Sequence, residues 1–345
     1  METKILHTDE PDDARTAVTA AVDLLRGGDI VALPTETVYG LAADAFNADA
    51  VAKIFDAKER PTFDPLIVHV VGYKGVEQVA DVPANVEKIL RRLANEFWPG
   101  PLTVILPKRP GVPDIVTAGL DTVAVRQSVS PIMKAVIQGL GSPLAAPSAN
   151  RFGSISPTSS SAVESELGGR IPLIVDGGAC NEGIESTIIK IEPNLQKPVL
   201  RILRAGPITK EQLQRFGKIE YGEQLSSEDG KPEAPGQLAS HYAPKTPLRL
   251  LEKPADFVPE KGKKYALLSY RQKAKDGYLK LTDWDTVLAL SSGSGKLPEA
   301  AVRLFFVMRQ LDAAGVDEII CEPVAERGLG VAIMDRLRRA AKRSE

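Results

Sequence analysis

Short apolar runs alternate with amphipathic segments along most of this chain, and that alternation leaves few folds open. Ala14 to Leu25 carries Ala17, Val18, Ala21, Leu24 and Leu25 at helical spacing and stops at Gly27-Gly28. Ile30–Leu33 follows as a short buried strand, and Asn47 or Asp49 stands where it can cap a helix through Ile54 and Phe55. Leu66–Val71, Leu102–Leu106, Thr122–Arg126, Leu144–Ala146, Leu173–Asp176, Thr187–Ile191 and Leu200–Leu203 read as strands. Val86–Phe97, a segment opened by Ser130-Pro131, and Thr209–Phe216 read as helices. Interleaving of this kind predicts an α/β sheet domain over residues 1–216.

The 345 residues suffice for a second domain. Over 217–246 the hydrophobic period disappears and Gly, Glu, Ser, Asp, Lys and Pro dominate, which reads as a linker. Beyond it Leu248–Leu251, Tyr265–Leu268, Thr286–Leu290 and Glu318–Cys321 read as strands, with helices over Ala300–Ala313 and Val331–Ala341. That predicts a small Rossmann-like open sheet over 247–345. It has no G-x-G-x-x-G fingerprint, so dinucleotide binding is not indicated.

Lys and Arg total 43 against 45 Asp and Glu, a net charge of −2, which excludes a globally basic nucleic-acid binder and leaves room for a local patch. Cys180 and Cys321, the only cysteines, form neither a disulfide framework nor a zinc pattern and read as reduced thiols of a cytoplasmic protein. The N-terminus has no apolar signal-peptide core, and no apolar run approaches the ~18–20 residues that span a bilayer.

Chemistry concentrates in motifs beside the strands. Leu33-Pro34-Thr35-Glu36-Thr37-Val38-Tyr39-Gly40-Leu41 follows the first strand, with Tyr39 and Leu41 read as packing residues. Lys58-Glu59-Arg60-Pro61 runs into Asp64-Pro65-Leu66-Ile67-Val68-His69. Lysine supplies a point charge and arginine a planar fork for phosphate oxygens, although K-x-R alone also reads as a solvated charge pair. These cations are expected to face solvent in the empty protein. Ala146-Pro147-Ser148-Ala149-Asn150 leads to Ser154-Ile155-Ser156. In an extended segment Ser148 and Asn150 share a face, so a hydroxyl and an amide meet one ligand, or else close a local turn. Gly183-Ile184-Glu185-Ser186-Thr187 and Leu203-Arg204-Ala205-Gly206-Pro207 complete the set. His69 ends an apolar strand and also reads as a packed histidine. Arg126 ends another, where it needs an anion, either a substrate carboxylate or a structural one.

Taken together, these motifs resemble the YrdC-like family of threonylcarbamoyl-AMP synthases over roughly residues 12–216, and continue more weakly into its longer two-domain subfamily. The resemblance implies a twisted mixed sheet with flanking helices, plus the smaller Rossmann-like domain. It implies a nucleotidyltransferase that joins L-threonine, bicarbonate and ATP, with Mg2+ accompanying the ATP. The product, threonylcarbamoyl-AMP, is passed to a transferase complex that modifies tRNA. Lys58, Arg60, Ser148 and Asn150 match the family's catalytic tetrad. Thr37, His69, Arg126, Ala146 and Ser186 match the L-threonine site. Arg60, Asp64, Thr122, Ser148, Ser156 and Arg204 match nucleotide contacts, and Tyr242 in the linker matches a tyrosine that reaches over the nucleotide. Asp64 departs from the family's more usual asparagine, and an aspartate beside a triphosphate repels it unless a metal or an arginine intervenes. No dedicated metal cage is expected. The alternative is an RNA-binding module without adenylate synthesis, contacting tRNA through Lys53, Lys58, Arg60, Lys88, Arg91, Arg92, Lys108 and Arg109.

Overall fold

A computed structural model describes residues 2–194, 197–222, 232–237 and 241–342. The chain forms two compact units. Met1–Phe152, Pro157–Asn181 and Glu185–Leu238 make the first; Gly153–Ser156, Glu182–Ile184 and Ala239–Glu345 make the second.

In the first unit, eleven strands among the described residues form one mixed sheet. They are β1 (Lys4–His7), β2 (Val31–Leu33), β3 (Gly40–Asp44), β4 (Ile67–His69), β5 (Leu102–Pro107), β6 (Thr122–Arg126), β7 (Leu144–Ala145), β8 (Leu173–Asp176), β9 (Thr187–Glu192), β10 (Val199–Arg204) and β11 (Lys218–Tyr221). Their spatial order is β1-β8-β2-β3-β7-β4-β6-β5-β9-β10-β11. The helices are α1 (Pro11–Arg26), α2 (Ala48–Lys58), α3 (Gly72–Val79), α4 (Ala84–Phe97), α5 (Asp114–Thr117), α6 (Pro131–Leu140), α7 (Ser160–Leu167) and α8 (Lys210–Leu213). Asn47 caps α2 through the Ala50 amide, and Ser130 caps α6 through that of Met133.

Side-chain alternation assigns the two sheet faces. Val68, Val104, Val125 and Ile189 point into the core shared with Val51, Ile54 and Phe55 of α2 and Leu90 and Leu93 of α4. On the opposite face Ile67, Ile105, Ala124 and Ile188 gather around Ala234. α1 and α6 cover Val31, Leu33, Leu144, Leu173 and Val175. Ala234 belongs to the segment read as linker, yet it is fully buried on this face.

Three local expectations change. The motif loop after β2 runs directly into β3, whose Gly-Leu-Ala-Ala-Asp sequence shows no strand alternation; antiparallel partners on both sides hold it. α7 carries no clear helical signal in the sequence, because its serine-rich surface gives little apolar period. β11 lies inside the expected linker and pairs parallel with β10 from Val199↔Lys218 to Ile202↔Tyr221. Its outer side is largely exposed, so it carries no hydrophobic signature. The expected linker's stretches 223–231 and 238–240 lie outside the described residues.

The second unit holds the parallel strands β12 (Leu248–Leu250), β13 (Tyr265–Ser269), β14 (Thr286–Ala289) and β15 (Glu318–Cys321) in the order β12-β15-β13-β14, with α9 (Leu297–Asp312) and α10 (Leu329–Ala341). This is the Rossmann-like sheet expected. The stretches 153–156 and 182–184 join it through specific contacts. The Ala243 amide donates to the Gly153 carbonyl at 2.9 Å, and Gly183 (φ +71°) approaches the Val302 backbone so closely that a Cβ would lie 2.3 Å from its Cα.

Candidate active site

Sheet register creates the site. His69, Arg126 and Thr103 stand side by side across β4, β6 and β5, one step beyond the apolar row of Ile67, Ala124 and Ile105 on the same face. Thr122, half-buried, lies four residues before Arg126 on that face. Arg126 Nη1 donates to Thr37 Oγ1 at 2.9 Å, and Nη2 pairs with Glu36 Oε1 at 2.7 Å, both side chains being about 5% exposed. Glu36 Oε2 accepts from the Ser128 hydroxyl. Burial works to raise the Glu36 carboxyl, but the Arg126 charge and the Ser128 hydroxyl outweigh it and hold that carboxyl below the usual range. The anion that Arg126 needs is therefore a structural carboxylate in the ligand-free protein. Arg126 Nε nonetheless has no hydrogen-bond partner among the described residues.

His69 is buried, and its Nδ1 also lacks a hydrogen-bond partner among the described residues. Burial, with the Arg126 charge adding to it against Glu36, pushes the imidazole down to about 3, so it is neutral at working pH. An unfolded chain protonates this histidine below about pH 6.5 while the folded one does not. Its contribution to stability is constant above that pH and falls by about 1.4 kcal/mol per unit between there and pH 3. His69→Gln is expected to flatten the loss of melting temperature between pH 6.5 and 4. An unchanged slope would show that the histidine is not held neutral.

Ser186 is completely buried and already engaged. Its Oγ lies 2.8 Å from Thr103 Oγ1 and accepts from Arg204 Nη2 at 3.0 Å. Arg204 also donates to the Ser186 carbonyl from Nε and Nη2, and to the Pro235 carbonyl from Nη1. A register shift between Ile202 and Arg204 re-aims this arginine relative to the strand's alternation. Ala146, matched to the L-threonine site, has its amide committed to the Ile67 carbonyl at 2.9 Å, leaving the carbonyl as its contribution.

The Lys-x-Arg and Ser-x-Asn motifs meet through the backbone of the second. α2 ends at Lys58, and Glu59 takes a left-handed conformation (φ 54°) that turns the chain. Lys58 Nζ donates to the backbone carbonyls of Ser148, at 2.6 Å, and Asn150, rather than meeting their side chains. The Phe152 amide returns a bond to the Lys58 carbonyl. Ser148 is half-buried, while Asn150 is 1% exposed and donates from Nδ2 to the Arg151 carbonyl at 2.7 Å. Lys58 is 1% exposed and Arg60 7%, which overturns the expectation that they face solvent; both reach inward from a helix end packed on the core. Burial first, then the neighbouring Arg60 charge, push the Lys58 ammonium well below the usual lysine range, against Asp64 and Glu166. Arg60 Nη2 pairs with Asp64 Oδ2 at 2.8 Å and donates to the Pro65 carbonyl at 3.0 Å. The aspartate is thus met by an arginine.

Ser156 and Tyr242 belong to the second unit. Ser156 is fully buried. Tyr242 (φ 65°) is 1% exposed, stacks on Phe305 at 5.5 Å between ring centroids and lies 5.4 Å from the Arg336 guanidinium.

The residues that sequence reading passed over are Thr103, Glu36, Ser128 and the Ala234-Pro235 pair. Glu36 stood in a quoted motif, and the buried arginine's need for an anion was the signal for it. Thr103 becomes visible only through register. The alternative basic face loses much of its charge. Lys58 and Arg60 are buried, and Lys53, Arg91, Lys108 and Arg109 pair with Asp29, Glu87, Asp114 and Asp81. A cavity of about 790 Å³ borders Thr35 and Glu36, but its lining includes none of the expected site residues. No helix among the described residues is long and apolar enough to cross a membrane.

Residues 23–206 match the Sua5/YciO/YrdC family model, described as telomere recombination, and residues 208–342 match the threonylcarbamoyl-AMP synthase C-terminal domain. A threonylcarbamoyl-AMP synthase of Bacillus subtilis is 40% identical over 99% of this chain and 98% of its own. Another, from Pyrococcus abyssi, is 39% identical over 93% of each chain. The crystal structure of P. abyssi Sua5 complexed with L-threonine has a TM-score of 0.83 at 36% identity, covering 98% of both chains. A His-to-Ala, Tyr-to-Ala double variant of the same protein gives 0.85 at 37% identity, covering 98% of this chain and 96% of that one. With both family models matched and relatives aligned nearly end to end, the chain belongs to the threonylcarbamoyl-AMP synthase family, nucleotidyltransferases that use ATP.

Proposed function

We propose that this protein condenses L-threonine, bicarbonate and ATP into threonylcarbamoyl-AMP and pyrophosphate, with 1–216 as the catalytic domain, 217–246 as a linker over it and 247–345 as an accessory domain. The observation that carries this reading is one polar tract in the first unit. It begins at Thr37, Arg126 and His69, continues through Thr103 and Ser186 to Arg204, and its charges extend to Asp64, Arg60 and Lys58. An amino acid requires a cation for its carboxylate and hydrogen-bonding groups for its hydroxyl. ATP requires cations for its phosphates. The tract supplies both sets, and the P. abyssi relative bound to L-threonine supports the amino-acid half.

In the proposed reaction the unprotonated threonine amine attacks bicarbonate and water leaves, giving a carbamate. A carbamate oxygen then attacks the α-phosphorus and pyrophosphate departs. No covalent protein intermediate is needed, so positioning and charge stabilisation supply the catalysis. Arg126 holds the threonine carboxylate through Nε, and Thr37, Ser186, neutral His69 and the Ala146 carbonyl surround the rest. Lys58, Arg60, Ser148 and Asn150 surround the reacting phosphoryl group, and an arriving phosphate draws the Lys58 ammonium back to its charged form. Thr122 and Arg204 take the remainder of the nucleotide, and Ser156 is assigned to it by family resemblance. Ala234 and Pro235, already on the sheet face, support a covering role for the linker, while Tyr242 is retained as a nucleotide contact on family resemblance alone. Mg2+ arrives with ATP, held by phosphates and water; among the described residues no cluster of three or more His, Cys, Asp or Glu side chains forms a cage for it. The product passes to a tRNA threonylcarbamoyl-transferase complex in the cytoplasm.

Pyrophosphate release should require threonine and bicarbonate together, with an AMP-containing product formed in equal amount. Hydrolysis of ATP to ADP at the same rate without threonine would sink the proposal.

A further inference from the structure

Asp64 is the acidic side chain that pairs directly with Arg60 at the cationic end of the tract. Its carboxylate is fully buried and pairs through Oδ2 with Arg60 Nη2 at 2.8 Å. Lys58 and Arg204 also act on it, from the end of α2 and from β10. Its other oxygen, Oδ1, is buried with no hydrogen-bond partner among the described residues. Arg60 is fixed from behind, because the carbonyls of Asp64 and Pro65 accept from Nε at 3.3 Å and Nη2 at 3.0 Å. An incoming anion must therefore come to the arginine. Carboxylate and phosphate oxygens use the same guanidinium geometry.

We infer that Asp64 is an internal counter-anion, holding with its carboxylate the place at Arg60 that a nucleotide phosphate takes, so that ATP binds by displacing it. This rests on the proposed use of ATP at Lys58 and Arg60. The carboxylate neutralises cations that would otherwise be buried against one another in the empty protein, and it opposes the nucleotide in return. Burial lifts the Asp64 carboxyl above its usual range against the pull of Arg60, Lys58 and Arg204, so the ion pair with Arg60 at 2.8 Å is what favours the carboxylate. Asp64 sets ATP affinity without being needed for the chemistry; it is a positioning and tuning residue.

The test is calorimetric titration of the full-length protein with Mg-ATP, and with ATP in EDTA, in the absence of threonine. Asp64→Asn keeps the shape and an acceptor for Arg60 but removes the competing charge. ATP should bind about tenfold more tightly, with threonine affinity unchanged. Asp64→Ser removes the same charge with a smaller side chain and should shift affinity in the same direction, which covers the case in which the first variant melts early. A purely structural aspartate would give weaker or unchanged binding when replaced, and that result overturns the inference. Loss confined to Mg-ATP also overturns it, because it would make Asp64 a ligand of the nucleotide's metal. If the wild type itself binds no ATP, the proposed function falls and this assignment with it. Tight wild-type binding with no gain in either variant removes this assignment alone.

Discussion

Replacing Arg126 by alanine is expected to weaken L-threonine by about 2–5 kcal/mol, roughly 30-fold to several thousand-fold, with far less effect on ATP. The size follows from desolvation. The side chain is 4% exposed, and its Nε has no hydrogen-bond partner among the described residues, on a face that otherwise presents Thr37, His69 and Ser186. The substitution also strands Glu36, whose carboxylate would remain buried with its paired cation gone and the Ser128 hydroxyl still donating to it. An orphaned buried charge costs about 3–5 kcal/mol of stability, so Arg126→Ala should melt early. Adding Glu36→Gln removes that charge and should recover much of the stability without recovering threonine. Titration with threonine and ATP separately, on both proteins, distinguishes the roles. Equal losses for the two ligands would make Arg126 a strut between β6 and the Thr35–Thr37 loop and nothing more.

The parts of this fold that were legible in the sequence are those in which local pattern and tertiary role agree. Thr122–Arg126, Leu173–Asp176 and Glu318–Cys321 are β-rich, apolar and bounded by turns, and the structure begins and ends those strands at the same residues. β3 and β11 were hidden for opposite reasons. The first is small-residue sequence held by neighbours on both sides, and the second is an edge with a wet face. The motifs identified the side chains that cluster, but not their bonds. Lys58 reaches the Ser148 and Asn150 carbonyls because the turn at Glu59 brings the helix end against that segment, a fact of backbone path rather than of side-chain type. Thr103 beside Arg126, and Arg204 turned by a bulge onto Ser186, depend on register, which no local window encodes. Glu36 was the readable omission, since a buried arginine at a strand end demands an anion and a carboxylate stood in the adjacent motif.

Arg60→Ala is expected to lower turnover at least ~10²-fold, as for loss of a donor aimed at developing charge. Unlike a surface substitution, it should also destabilise the fold. Asp64 is fully buried, and without Arg60 its carboxylate loses the cation it pairs with at 2.8 Å, at a cost of about 3–5 kcal/mol. Low activity in this variant alone is therefore ambiguous between missing catalysis and missing protein. The double variant Arg60→Met, Asp64→Leu resolves it. Replacing both members of a buried ion pair with apolar side chains of similar size is often neutral or stabilising, so its melting temperature should return to near the wild-type value. Turnover should stay at least ~10²-fold down, because the group that meets the phosphate is gone. Recovery of both stability and turnover in the double variant would mean that Arg60 serves only to hold Asp64 in the core, and that the phosphate cradle must be sought among Lys58, Arg204 and the 148–150 turn.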